Sequence, residues 1–110
     1  DGAIVLDRAR DGQLDRDEYS REVELVEYKT VRRHHQIASE GVKEHGWEQE
    51  VDGFALTVMM FPRFEQHYAL QNTLSNPNDP DSSHAGSYRK VWDQHFKQAH
   101  KLRQQRKLEE

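Results

Sequence analysis

The stretch that decides the fold is Phe54-Ala-Leu-Thr-Val-Met-Met-Phe61, followed at once by Pro62. Eight residues, seven of them apolar, suit a buried strand as well as a buried helix turn, so periodicity alone does not separate the two. The neighbours do. No second stretch offers a strand to pair with it, and a lone strand would bury unsatisfied backbone amides and carbonyls. The run therefore reads as helix, broken at Pro62 because proline lacks the amide donor and crowds the preceding turn. Arg63 to about Ser75 then continues as helix, with Phe64, Tyr68 and Leu74 inward.

Working outward towards the N-terminus, Asp15 to about His45 contains no proline and a single glycine, Gly41. Tyr19, Val23, Val26, Ile37 and Val42 keep roughly helical spacing there, and the segment reads as one long helix. Asp15 with Glu18 suits a capping box, and Gly46 a stop. Its middle is polar, with Lys29, Arg32, Arg33, His34 and His35. Towards the C-terminus, 76–86 (Asn-Pro-Asn-Asp-Pro-Asp-Ser-Ser-His-Ala-Gly) is rich in turn formers and reads as a flexible loop. Ser87 then caps a last helix, 87–110, on which Tyr88, Val91, Trp92, Phe96, Ala99 and Leu102 recur every three or four residues. The expectation is one all-α domain over 1–110 with three principal helices, the second interrupted at Pro62. Its expected core is Phe54, Leu56, Met59, Phe61, Phe64, Tyr68, Trp92 and Phe96.

Composition bounds the function. The 110 residues are 34% hydrophobic and 33% charged, against roughly 45 to 50% and 25% in ordinary globular chains, so the core must be thin. Mean hydropathy is -1.12, and no apolar run approaches the roughly 18 residues of a membrane span. No secretory signal is recognised. Without cysteine, thiolate zinc sites, iron–sulfur clusters and cysteine nucleophiles are excluded. The serines lie in no nucleophile elbow and no phosphate-cradling loop occurs, so an enzyme is not expected. Acidic pairs such as Glu24 and Glu27, or Glu48 and Glu50, are what any acidic helix carries. Seven histidines raise the question of a transition metal, but no His-Glu-x-x-His or Glu-x-x-His spacing occurs. Such a site would need tertiary folding to bring His67, His95 and a carboxylate together.

The net charge of -4 is unevenly spread: residues 1–55 hold 14 acidic and 8 basic side chains, residues 56–110 hold 6 and 8. Lys97, Lys101, Arg103, Arg106 and Lys107 cover much of the last helix and are candidates for binding a polyanion or a partner protein. Nucleic acid is one such polyanion. A thin core and an apolar central run also favour a protein partner or a homo-oligomer that covers part of 54–61.

Near the N-terminus stands Asp7-Arg-Ala-Arg-Asp11-Gly12-Gln13-Leu14-Asp15-Arg-Asp17-Glu18. It resembles the twelve-residue calcium loop of the EF-hand family. The resemblance implies ligands at the first, fifth, seventh, ninth and twelfth places, here Asp7, Asp11, the Gln13 carbonyl, Asp15 and a bidentate Glu18. Gly12 falls at the sharp turn, Leu14 at the apolar pairing position, and Tyr19 where the exiting helix has an aromatic. Ala9 replaces the side-chain oxygen of the third place, which implies weak calcium binding. The entering helix is short, only residues 1–6 precede the loop, and no second loop accompanies it. The same residues also make an ordinary turn at Asp11-Gly12 and a helix cap at Asp15/Glu18. The function expected is thus a non-catalytic helical interaction module with a weak calcium loop. The alternative is a metal-free helical adaptor or nucleic-acid-associated protein acting through its basic last helix.

Overall fold

A computed structural model describes residues 1–46 and 53–109. Among them it contains six helices and no strand: α1 (Gly2–Arg10), α2 (Arg16–His45), α3 (Gly53–Met60), α4 (Phe64–Gln71), α5 (His84–His95) and α6 (Lys97–Glu109). The all-α class stands, and the apolar run is helical as far as Met60, with Phe61 and Pro62 between α3 and α4. The number of helices is larger than three because the last helix divides at Phe96 and because residues before the turn at Gly12 form a helix of their own.

Each boundary has a local cause. Asp1 caps α1, its carboxylate accepting from the Ala3 amide at 2.6 Å. At the other end Gly12 adopts φ +74, its amide donates to the Ala9 carbonyl at 3.0 Å, and the Gln13 amide donates to the Arg8 carbonyl at 2.9 Å. That pair of bonds is the Schellman closure of a helix, which needs a left-handed residue and hence favours glycine. Two residues on, α2 opens with the expected capping box: the Glu18 amide donates to Asp15 Oδ1 at 2.8 Å, and the Asp15 amide to Glu18 Oε1 at 3.0 Å. Gly46, φ +69, follows the end of α2 as expected. α5 starts earlier than expected. Ser83, not Ser87, is its cap, accepting from the Gly86 amide at 2.9 Å. The 76–82 turn before it is closed on itself by Ser82, whose hydroxyl donates to the Asn76 and Asp79 carbonyls, each at 2.9 Å. No residue type at Phe96 marks the α5/α6 break.

The core differs from the one expected. Its main cluster is Val5, Ala9, Leu14, Tyr19, Trp92 and Phe96, where α1, the turn, the start of α2 and the end of α5 meet. Trp92 and Phe96 were in the expected set. Phe54, Met59, Phe61, Phe64 and Tyr68 are only half-buried, and the Leu56 side chain lies outside the described residues. An eight-residue helix that is apolar all round can turn only one side to α2. Val58 takes that side and is fully buried, while Met60 is 70% exposed. Val5, Ala9 and Leu14 supply the missing apolar volume. Trp92 fixes the turn by donating from Nε1 to the Leu14 carbonyl at 2.9 Å, and its neighbour Phe96 meets Tyr19 edge-on, ring centres 5.1 Å apart.

The turn at Gly12 lies hard against α6: a Cβ there would stand 2.3 Å from the Ala99 carbonyl oxygen, whereas a Cβ on Gly46 would meet nothing within 4 Å. Both glycines have positive φ, so Gly46→Ala should cost about 1 kcal/mol in urea unfolding and Gly12→Ala clearly more, about 3 kcal/mol. Equal losses would show that α6 does not pack on the turn.

Candidate functional site

The densest polar feature is a seam where the inner face of α2 meets the start of α5. Ser20, Glu24 and Tyr28 stand four residues apart, on one face of the helix, and all three are buried. Each side chain reaches across to another segment. The Ser20 hydroxyl donates to the Ala85 carbonyl at 2.7 Å. Glu24 Oε1 accepts from His84 Nδ1 at 2.5 Å. The Tyr28 hydroxyl donates to the Phe61 carbonyl at 2.6 Å, and Arg32 donates to both the Tyr28 hydroxyl and the Phe61 carbonyl, at 2.9 and 3.1 Å. One turn further round α2, Glu27 accepts from the Tyr88 hydroxyl.

Glu24 is wholly buried, and its second oxygen, Oε2, has no hydrogen-bond partner. Burial raises its pKa above the usual carboxylate value, against the opposing bond and charge of His84. Burial also raises the Tyr88 phenol, and the bond to Glu27 adds to it. His67 is wholly buried as well, with neither ring nitrogen hydrogen-bonded. It sits among the rings of Tyr28, Phe54 and Phe64, at 5.1, 5.4 and 6.4 Å. Burial lowers its pKa, His84 lowers it further, and Glu27 opposes. Beside the seam a cavity of about 370 Å³ is lined by Val26, Glu27, Thr30, Val31, Phe54 and His84.

The residues expected to bind calcium lie along the end of α1, the turn and the start of α2. Asp7 lies inside α1, exposed; Asp11 is the C-cap of α1; Gln13 is exposed in the turn; Asp15 and Glu18 hold one another's amides. Ala9, at the third place of the loop, is wholly buried in the core. Among the described residues the group of three or more metal-ligating side chains gathered within 4.8 Å is Glu24, Glu27 and His84, and it includes none of these.

The turn is instead held to α6 through its backbone. His100 Nδ1 donates to the Gly12 carbonyl at 3.0 Å and Arg103 to the Asp11 carbonyl at 3.4 Å. Among the described residues no carboxylate lies within ion-pair distance of Lys97, Lys101, Arg103, Arg106 or Lys107. The acidic front half is met by other cations: Arg89 pairs with Asp17 at 3.1 Å. Arg16, itself in the front half, pairs with Asp93 and Asp81 at 3.0 and 2.5 Å. α6 has no buried residue, and Arg10, Asp11, Ala99, Leu102, Arg103 and Arg106 line a hollow of about 490 Å³ between it and α1.

In the sequence Glu24 and Glu27 are no more than the acidic pair that any acidic helix carries, whereas in the structure Glu24 is wholly buried. Its partner His84 is 60 positions away, so no local spacing announces the seam. His67 does approach it, as a tertiary site would require, but His95 is exposed at the end of α5. Glu48 and Glu50 lie outside the described residues. Comparison with protein-family models, curated proteins and solved structures gives no match for this chain. Among the described residues no helix is long and apolar enough to cross a membrane.

Burial sets a pH dependence. With a folded pKa below its ordinary 6.5, His67 stays neutral while an unfolded chain takes up the proton, so stability is lost as pH falls from 6.5 towards the lowered value. Glu24 acts in the other direction: its raised pKa adds stability below the ordinary 4.5, lost as pH rises through the folded value. Comparing variants separates the two. Thermal melts at pH 7 and about pH 5.5 should show a larger acid loss in the native chain than in His67→Phe; equal losses would place His67 in water.

Proposed function

We propose that this chain is a non-catalytic helical interaction module that docks on an acidic partner protein through α6. The observation that supports it most is the set of five cations on α6 that have no carboxylate within ion-pair distance among the described residues, while Arg16 and Arg89 are engaged. Leu102 and Leu108 stand among them, 43% and 88% exposed. A phosphate backbone has no use for exposed leucines, whereas a protein surface with acidic and apolar residues matches both features. Nucleic acid is the second reading, supported by the same cations. Exposed Met60 adds a place where a partner, or a second copy of the chain, can cover the α3 run.

Within the same reading the 7–18 loop takes calcium weakly. Asp11, the Gln13 carbonyl and Asp15 share one short turn, but Glu18 must leave the Asp15 amide and Asp7 must be drawn out of α1, each at a cost in affinity. The third place cannot be repaired, since Ala9→Asp would bury a carboxylate in the core.

Binding to immobilised polyglutamate and to a DNA duplex is the test of the α6 face. The native chain should bind polyglutamate with steep salt dependence, and a variant with Lys97, Lys101, Arg103, Arg106 and Lys107 changed to Gln should lose it. Tighter binding to the duplex than to polyglutamate would favour the second reading, and equal binding by both chains would end the α6 proposal. For the loop, calorimetry should give a calcium dissociation constant on the order of 0.1 to 1 mM or weaker, loosened most by Glu18→Gln. No calcium heat at all would leave the segment as a helix cap.

A further inference from the structure

We propose that Glu24, Glu27 and His84 bind one divalent transition-metal ion of the zinc class. This is a site apart from the calcium loop and from α6, and it goes beyond the interaction role. The three side chains come from two helices, Glu24 and Glu27 from one face of α2 and His84 from the first position of α5. Each offers one ligand atom, and the three atoms lie within 4.8 Å of one another. Donors about 2.0 to 2.2 Å from a tetrahedral ion stand roughly 3.4 Å apart, so the ligand atoms must draw together by about 1 Å to close on one.

What singles this group out from an ordinary acidic patch is Glu24. Its Oε2 is buried without a hydrogen-bond partner, a costly state for a carboxylate, and a cation between the helices satisfies it. The donor chemistry chooses the ion. An imidazole nitrogen with two carboxylates suits zinc and its first-row neighbours, while calcium and magnesium take oxygen alone. Second-layer support is in place, because the Tyr88 hydroxyl donates to Glu27 Oε1 and fixes that carboxylate. A route in exists too: the cavity of about 370 Å³ is lined by Glu27 and His84, and the His84 side chain is 42% exposed, which leaves room for a water as fourth ligand. His67 is not a ligand in this arrangement. The Phe54 ring packs against both imidazoles, 5.4 Å from His67 and 5.3 Å from His84, and His67 is not among the gathered ligand atoms.

The ion would lock α5 to α2 where a protonated or hydrogen-bonded pair now does so, and the bound state should be the more stable one. Zinc chloride titrated into the full chain by calorimetry is the test, with cobalt(II) absorption as a second measurement. One zinc per chain should bind with a dissociation constant on the order of micromolar or tighter, and cobalt should give the visible bands of a four-coordinate ion. His84→Ala, with its helical fold checked by circular dichroism, should weaken zinc tenfold or more. Glu24→Gln, of the same shape, should do the same. The paired change His34→Ala/His35→Ala, remote from the seam, should leave the affinity unaltered. Absence of zinc binding at about 100 µM, or binding undiminished in His84→Ala, would overturn the proposal. Displacement of zinc by millimolar calcium would also overturn it, since the site would then be an oxygen site.

Discussion

A carboxylate enclosed on the inner face of a 30-residue helix is the constraint on which the arrangement of this molecule depends. Glu24 cannot face water, so something polar must be brought to it, and His84 is what the fold brings. That requirement sets the rotation of α2 and the place where α5 begins. Ser20 one turn before and Tyr28 one turn after make the same kind of reach, to the Ala85 and Phe61 carbonyls. The seam thus gives α2 three fixed points, spaced by its own pitch, against α5 and the end of α3. Hydrophobic burial alone would tolerate a small rotation; buried hydrogen bonds do not, because each one broken leaves an orphaned polar group costing about 1 to 3 kcal/mol.

The front end is built on the complementary principle. There α1, the Gly12 turn and the first turn of α2 close over Val5, Ala9, Leu14, Trp92 and Phe96, an apolar cluster whose position is fixed by the Trp92 bond to Leu14. Because α5 takes part in both the seam and this cluster, the two ends of the molecule are mechanically joined through one helix. α6 is then placed over the turn by His100 and Arg103, contacts that use carbonyls as acceptors, while Lys97, Lys101, Arg106 and Lys107 stay exposed. Front and back are tied together by Arg16 to Asp81 and Asp93 and by Arg89 to Asp17, pairs in which the tail takes no part.

How much of this was legible follows from what a sequence pattern encodes. The helical class was legible, because the 54–61 run has no pairing partner and Pro62 marks its end, as were the start of α2 at Asp15/Glu18 and its stop at Gly46. The core was legible only at Trp92 and Phe96, since apolar spacing tells which residues can be buried, while a helix apolar all round leaves its buried side undetermined. The segment 7–18 illustrates a deeper ambiguity. Its residues meet the spacing of a calcium loop and also that of a helix stop followed by a helix start, because both need a turn-forming glycine and an acidic residue at the next helix. Ala9, which departs from the first pattern, is what the second requires, a small side chain facing the core. The seam was illegible for a plain reason: a buried Ser, Glu and Tyr look like solvent-facing residues in any hydropathy pattern, and His84 is remote in sequence.

A double-mutant cycle on Glu24 and His84, measured by urea unfolding of the full chain in the presence of a chelator, tests the buried seam most directly. If the carboxylate is enclosed and His84 is its partner, Glu24→Gln and His84→Ala should couple by about 1 kcal/mol or more. Additivity to within about 0.3 kcal/mol would mean that the two side chains do not share a bond, and that α2 is oriented by its apolar residues alone.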